Sequence, residues 1–566
     1  MSTAAQAAPT PRSVALRAPG IGSRLFGLGS IFGKTFRDSR RAALTVGIVT
    51  AVIVLATGAA LAAEFDTIQK RQAVAAQLGS LPAIFQGMLG EMISIERLGG
   101  FLSWRTINFL PIILGIWTLV AMSGLLAGEL ARGSLDLLAT TPRSRARIAL
   151  QKLGGYLLAL AVALVLFTVG TYAAVTAFGT LPGDAVGIDA VLAHAAWLYV
   201  VALAPGALAF AVAPFLGRGG ALGVGGVTLF ASFIVSGYSA TVTALEPLRP
   251  LSYFAITEGH RPIAGAWDWP AVAGVAAATV VLIGIGIWAF VRRDLLVPTG
   301  GLIRLPTMPI FLSGPFGRAL GERFPASVLW GLALGLFGLI IGMSVDEFVK
   351  TLGSIPELVA LIRRVFPDAD ILSAGGFLQL AFFSEAILFV SIATSTLVGG
   401  WASDEGERRL ELLLSVPITR VGWALRSSLA VMVGIVVLTA IMVGGVLLGT
   451  ATQAAARDYG QLAAGVSVLG LYAMAIAGIG LAVGGLVRPG LAAPVALIVA
   501  LAFFLWELIG SIAGFPDELL DLALQRHLGQ PILGQYDWPG MAICAALAIG
   551  GIVLCAVGMR RRDIGR

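Results

Sequence analysis

Long apolar runs alternate with short polar stretches along the whole chain. Twelve of these runs are long enough and poor enough in charge to cross a bilayer, where about 20 apolar residues make one helical span. The first six cover residues 42–63, 108–128, 153–178, 191–215, 220–238 and 270–291. The second six cover 326–344, 376–401, 424–449, 461–486, 491–510 and 540–559. Spans 4 and 5, and again spans 10 and 11, are joined by short segments whose turns are Gly217-Arg218-Gly219 and Arg488-Pro489-Gly490. Such turn residues predict two helical hairpins.

The two sets of six also share local strings in the same order. Phe32-Gly33-Lys34 is echoed by Phe316-Gly317-Arg318, and Leu135-Asp136-Leu137-Leu138 by Leu410-Glu411-Leu412-Leu413. Asp268-Trp269-Pro270 returns as Asp537-Trp538-Pro539, and Arg292-Arg293-Asp294 as Arg561-Arg562-Asp563. Each match occupies the same place relative to the spans, which predicts an internal duplication. Residues 1–296 form one half and 297–566 the other. Because each half has an even number of spans, the expected fold is all-α and polytopic, with two tandem parallel six-helix repeats.

Composition agrees with this pattern. Of 566 residues 57% are apolar and only 12% charged, against about a quarter charged in ordinary soluble domains. A sizeable soluble domain is excluded. Most of the 38 Lys and Arg fall on the side of the N-terminus and most of the 31 acids on the other, so the positive-inside rule places both termini in the cytoplasm. The net charge of +7 therefore reflects topology, and no nucleic-acid partner is expected. Cys544 and Cys555, on one apolar segment, read as packed thiols. With three His and no ligand cluster, neither a metal site nor nucleophilic catalysis is expected.

The segment after span 2 carries Glu129, Arg132, Leu135, Asp136, Leu138, Pro142 and Arg145. The segment after span 8 carries Asp404, Glu405, Leu410, Glu411, Leu413, Pro417 and Arg420. In each, acids precede a short Leu-rich helix, a Pro stops it and an Arg follows, the order the helix dipole favours. A single copy reads equally as a solvated loop. Two matching copies point to an element docked on a soluble partner, its apolar face in a groove and its charges setting register.

On these residues the chain resembles the membrane permeases of type-2 ABC exporters, in particular the fused twelve-helix form linked to drug and antibiotic efflux. The carrying pattern is the acid at Glu129, then Arg132-Gly133-Ser134-Leu135-Asp136-Leu137-Leu138, then Pro142 to Arg145. The resemblance implies that both segments are coupling helices seated on two copies of an ABC ATP-binding subunit, with ATP and Mg on that partner and no cofactor on this chain. It implies re-entrant helices before spans 6 and 12, a hydrophobic or amphipathic small-molecule cargo, and export across a bacterial cytoplasmic membrane. The second copy has Glu407-Arg408-Arg409 where the first has Arg132-Gly133-Ser134, which implies unequal contacts with the two partners.

Leu25, Phe32 and Phe36 share one helical face and Lys34 and Arg37 another, so residues 22–40 read as an interfacial amphipathic helix. It serves either as a membrane anchor or, as the resemblance implies, as an elbow that also touches the ATPase. The nearby Gly29 to Thr35 is no phosphate-binding loop, because the spacing from either Gly27 or Gly29 to Gly33-Lys34 is wrong. ATP hydrolysis belongs to another chain.

Charge inside a membrane marks function by default. Glu385, flanked on its helical stripe by Phe382 and Phe389, reads either as a carboxylate in a cavity wall, favouring cationic amphiphiles, or as a neutral acid bonded to a neighbouring helix. Glu507 is expected at the outer rim. Asn108, Trp117, Phe230 and Phe233 join the candidate pathway because the resemblance implies that spans 2, 5, 8 and 11 line it. Two other functions remain in view: an ion-gradient-driven secondary transporter, which lacks its usual basic loop motif here, and export of a lipid or glycan precursor.

Overall fold

In a computed structural model the chain is an all-α polytopic membrane protein. The structure describes residues 30–79, 90, 92–126, 144–239, 243–292, 314–353, 373–406, 409–415, 417–453, 458–513 and 515–562. Among the described residues, twelve helices are long and apolar enough to span a bilayer. The first half contributes α1 (Ile31–Glu64), α2 (Leu98–Leu125), α3 (Arg145–Phe178), α4 (Ile188–Arg218), α5 (Gly220–Tyr238) and α6 (Trp269–Arg292). The second contributes α7 (Gly314–Met343), α8 (Ala374–Glu405), α9 (Arg420–Ala451), α10 (Tyr459–Leu486), α11 (Pro489–Glu507) and α12 (Trp538–Arg561). The expected spans all appear. The 296/297 boundary lies outside the described residues.

From Ile31 the amphipathic start of α1 runs unbroken into the span to Glu64, and residues 22–29 of the expected interfacial helix lie outside the described residues. Ser30 caps it by accepting from Gly33 N at 3.0 Å. Phe32 lies over Gly154 and Gly155 of α3, whose missing side chains admit the ring and the adjoining backbone. Phe36 is half-buried, as is Arg37, which pairs with Asp38, while Lys34 stays exposed. Leu25 lies outside the described residues.

Packing repeats between halves: α1 lies on α3 and α7 on α9, while the α4–α5 hairpin covers α2 and α10–α11 covers α8. Gly217, at φ +72°, makes the α4–α5 turn, a conformation glycine adopts without steric cost. Equivalent helices of the two halves share their caps. Ser144 accepts from Arg147 N at 3.3 Å to start α3, and Thr419 from Gly422 N at 3.0 Å to start α9. Asp268 accepts from Ala271 N and Asp537 from Gly540 N, both at 3.1 Å, to start α6 and α12. Short helices fold back before each of these last spans, Tyr253–Ile256 and Leu524–Leu528 among them.

On the face opposite the termini, Asp184 is 1% exposed and takes two contacts of 2.8 Å from Arg71 Nη1. It also accepts from Leu98 N, at the first residue of α2, at 2.8 Å. One carboxylate thus neutralises a buried guanidinium and complements a helix N-terminus. Asp184→Asn is expected to destabilise the protein by about 3 kcal/mol, because it leaves Arg71 buried without its counter-ion. Thermal unfolding in detergent checks this, and an unchanged midpoint would refute it.

The lipid-facing sides are apolar. Leu150, Leu158, Val165, Val169 and Tyr172 are exposed along α3, and Leu425, Leu429, Val436 and Leu448 along α9.

Candidate functional site at the seam between the halves

The halves meet where α5 packs on α7 and α8, and where α1 approaches α11. Aromatic rings fill the first of these contacts. Phe230 meets Phe389 edge-on at 4.4 Å between centroids, Phe233 lies 5.6 Å from Phe389, and Phe337 of α7 lies 5.8 Å from Phe230 and 5.4 Å from Phe382. Edge-to-face pairs at these distances stabilise beyond their buried area. Gly226 admits Trp330 of α7 against α5, since a Cβ there would stand 2.9 Å from the indole. Four expected pathway residues, Phe230, Phe233, Phe382 and Phe389, therefore sit together. Phe337 and Trp330, on α7, were not legible as members of the group.

Both α2 and α8 break their α-helical register near this seam. In α2 the α-turns Leu98–Arg105 give way to a 3₁₀ turn, Ile107–Phe109, before Leu110–Leu125. Pro111 causes this, as it cannot donate to Ile107 O and its ring crowds that carbonyl. In α8 a π-turn covers Gln379–Phe383, and Ser384 Oγ donates to Gln379 O at 3.1 Å. The Gln379 side chain accepts from Ile532 N at 3.1 Å, tying the bulge to the turn before α12. Turns of this kind recur at functional sites.

Glu385 follows the bulge and is half-buried. Arg105, equally half-buried on α2, interacts with it electrostatically. That partner was not among the expected pathway residues. Its signal was visible, as an Arg beside Trp104 ahead of a long apolar run.

Three other expected residues lie outside the ring cluster. Trp117 turns away from the seam and packs edge-on against Tyr156 of α3 at 5.7 Å, inside the first half. Asn108 sits at the α2 break against Gly90, where a Cβ would fall 2.1 Å from Nδ2. Glu507 ends α11, half-buried beside Gln525 and Arg526.

At the terminal face, a short helix spans Arg409–Leu413. Leu410 is buried in the helix bundle, Leu413 is half-buried, and Glu411, Pro417 and Arg420 are exposed. The acids before it are both paired within the chain. Asp404 is 1% exposed and pairs with Arg318 of α7 at 2.9 Å, while Glu405 is held by Arg562 at the end of α12. Both face inward because a cation of a neighbouring helix lies there to neutralise them. Arg420 donates to Arg562 O at 3.1 Å, and Arg145 matches it by donating to Val291 O at 3.4 Å. Glu129, Arg132, Leu135, Asp136, Leu138 and Pro142 lie outside the described residues. Among the described residues, no cluster of three or more His, Cys, Asp or Glu is placed to hold a metal.

Before α6, Arg261-Pro262-Ile263-Ala264-Gly265 forms a closed turn, and Gln530-Pro531-Ile532-Leu533-Gly534 forms its twin before α12. Arg261 pairs with Ala266 as Gln530 pairs with Gln535, and Gly265 and Gly534 are both left-handed. His260 sits beside the first turn and accepts from Asp268 N at 2.9 Å. Burial pushes its pKa down, with Arg261 adding to the effect, so the ring stays neutral and keeps that acceptor.

Residues 30–295 match the profile of the ABC-2 family transporter protein, and residues 312–560 match the C-terminal domain of the multidrug efflux system permease Rv1217c. These matches, one in each half, support a type-2 ABC transporter permease. A relative is the multidrug efflux system permease protein Rv1217c of Mycobacterium tuberculosis (strain ATCC 25618 / H37Rv), 29% identical over 318 residues. The match covers 54% of this chain and 55% of that one, so the chain spans about half the length of the relative it matches.

Proposed function

We propose that this permease is the membrane subunit of an ATP-driven exporter that moves hydrophobic or amphipathic small molecules out of a bacterial cell. Two copies of an ABC ATP-binding subunit dock at residues 129–145 and 404–420, carry ATP and Mg, and drive the halves between two arrangements. Both termini then lie in the cytoplasm of a cell whose inner membrane the chain spans. The observation that carries this reading is the seam itself. Aromatic rings from both halves meet beside two broken helices, so any relative motion of the halves repacks the surface that a hydrophobic cargo would touch. The relative's printed role in multidrug efflux supports the cargo class.

The test is purification of the tagged chain in mild detergent from its host, with mass spectrometry and ATPase assay of the eluate. Co-purification of a P-loop subunit at two copies per permease, released by Glu411→Lys together with Glu129→Lys, is expected. A chain that elutes alone and transports on an ion gradient would replace this reading with the secondary transporter. A lipid or glycan precursor trapped in the seam would change the cargo alone.

A further inference from the structure

We infer that Arg105 and Glu385 form a two-charge site for the head group of a zwitterionic amphiphile, with the phenylalanine cluster receiving its apolar part. This rests on the exporter reading and specifies its cargo. A lone carboxylate among aromatic rings would select cations. Arg105 alters that expectation, since it sits across the seam on the other broken helix and interacts electrostatically with Glu385.

Three observations converge here. Arg105 lies about two turns into α2 and Glu385 about three turns into α8, counted from the face opposite the termini. Each charge adjoins the irregular turn of its helix, Ile107–Phe109 in α2 and Gln379–Phe383 in α8. Irregular backbone at membrane depth is tolerated where it is enclosed by protein or lines a cavity, and discontinuous helices at corresponding places in two repeats point to a binding site. Among the described residues, no direct hydrogen bond or ion pair joins the two side chains, so each keeps its capacity for a third group. Charged side chains in a membrane are costly unless matched, and a head group carrying both signs would match both. One turn beyond Glu385, Phe389 begins the ring cluster that includes Phe230 and Phe337. Tyr238, at the end of α5, also interacts electrostatically with Glu385 and stands 6.0 Å from Phe337, closing the site toward α7.

The experiment uses the full chain in nanodiscs and three fluorescent dodecyl amphiphiles that differ only in head group: aminocarboxylate, trimethylammonium and carboxylate. Binding is read by fluorescence titration. The expected ranking for the wild type puts the zwitterion first. Arg105→Gln should move the preference to the cation and Glu385→Gln to the anion, each weakening the zwitterion by about tenfold, the loss of one charge-assisted contact. The exchanged pair Arg105→Glu with Glu385→Arg should keep the zwitterion first, which separates recognition from folding damage. A ranking that no variant changes, or a uniform loss for all three probes with no recovery in the exchanged pair, overturns the inference. ATP-driven efflux of the same probes, measured with the ATPase subunit present, reports on the exporter reading separately.

Discussion

Gly445→Leu is expected to remove the folded protein from the membrane fraction, whereas Gly444→Leu is expected to be tolerated. The two positions are adjacent on α9 but point about 100° apart, and only one of them points at α7. A Cβ at Gly445 would lie 2.0 Å from Gly335 O and 2.5 Å from Gly335 Cα of α7, and one at Gly449 would lie 2.3 Å from Leu339 O. A Cβ at Gly444 meets nothing within 4 Å. The obstructing atoms are backbone, so a rotamer change gives no relief and the helices must separate. Close approach of small residues is a main source of helix association where lipid is as apolar as the side chains, and overpacking costs about 1–3 kcal/mol even where the site can adjust. The pair α10–α12 offers the same contrast: a Cβ at Gly551 would fall 2.2 Å from Gly478 O, and one at Gly550 meets nothing. Fluorescence-detected size exclusion of all four variants decides the matter. Equal profiles for Gly444→Leu and Gly445→Leu would refute close backbone packing as the fastening of the second half.

Asp404→Asn is expected to lower ATP-driven transport by about tenfold while the ATPase subunit still binds and turns over. Asp404 ends α8 just before the short helix at Arg409–Leu413 and is tied to Arg318 at the start of α7. Glu405 is tied in the same way to Arg562. Together these pairs join the proposed docking element to both ends of the second half. Loss of one connection removes a coupling free energy, and typical values span about 5- to 150-fold. The stability cost is small because Arg318 is a third exposed and water can take over its charge. Exchanging the pair, with Arg318→Asp and Asp404→Arg, should restore part of the transport. If Asp404→Asn instead abolishes binding of the ATPase subunit, Asp404 is a docking contact and the inward latch is wrong.

The spans, the hairpin turns and the duplication were legible in sequence because they rest on local physics: apolar length, Gly and Pro at tight turns, and capping side chains repeated at fixed places. The start of α2 was not, since Ser103, Arg105 and Asn108 interrupt the apolar run although the backbone is already helical from Leu98. Asp404 and Glu405 read as docking acids because nothing local reveals that Arg318 and Arg562, distant in sequence, turn them inward. The π-turn of α8 has no compositional mark. Its first residue, Gln379, is held by Ile532 from across more than a hundred residues. Trp117 was assigned by span rather than by helical face, and its face belongs to α3.

The exposed apolar stretches on α3 and α9 also measure the bilayer this protein suits. Leu150 to Tyr172 and Leu425 to Leu448 each extend roughly 33–35 Å at about 1.5 Å per residue, slightly more than the hydrocarbon of an average membrane, about 30 Å. Both halves show the same excess, so a thinner bilayer cannot be accommodated by tilting one half alone without shearing the aromatic seam. Acyl-chain length therefore acts on the contact between the halves, and lipids with short chains impose a mismatch that the seam must absorb.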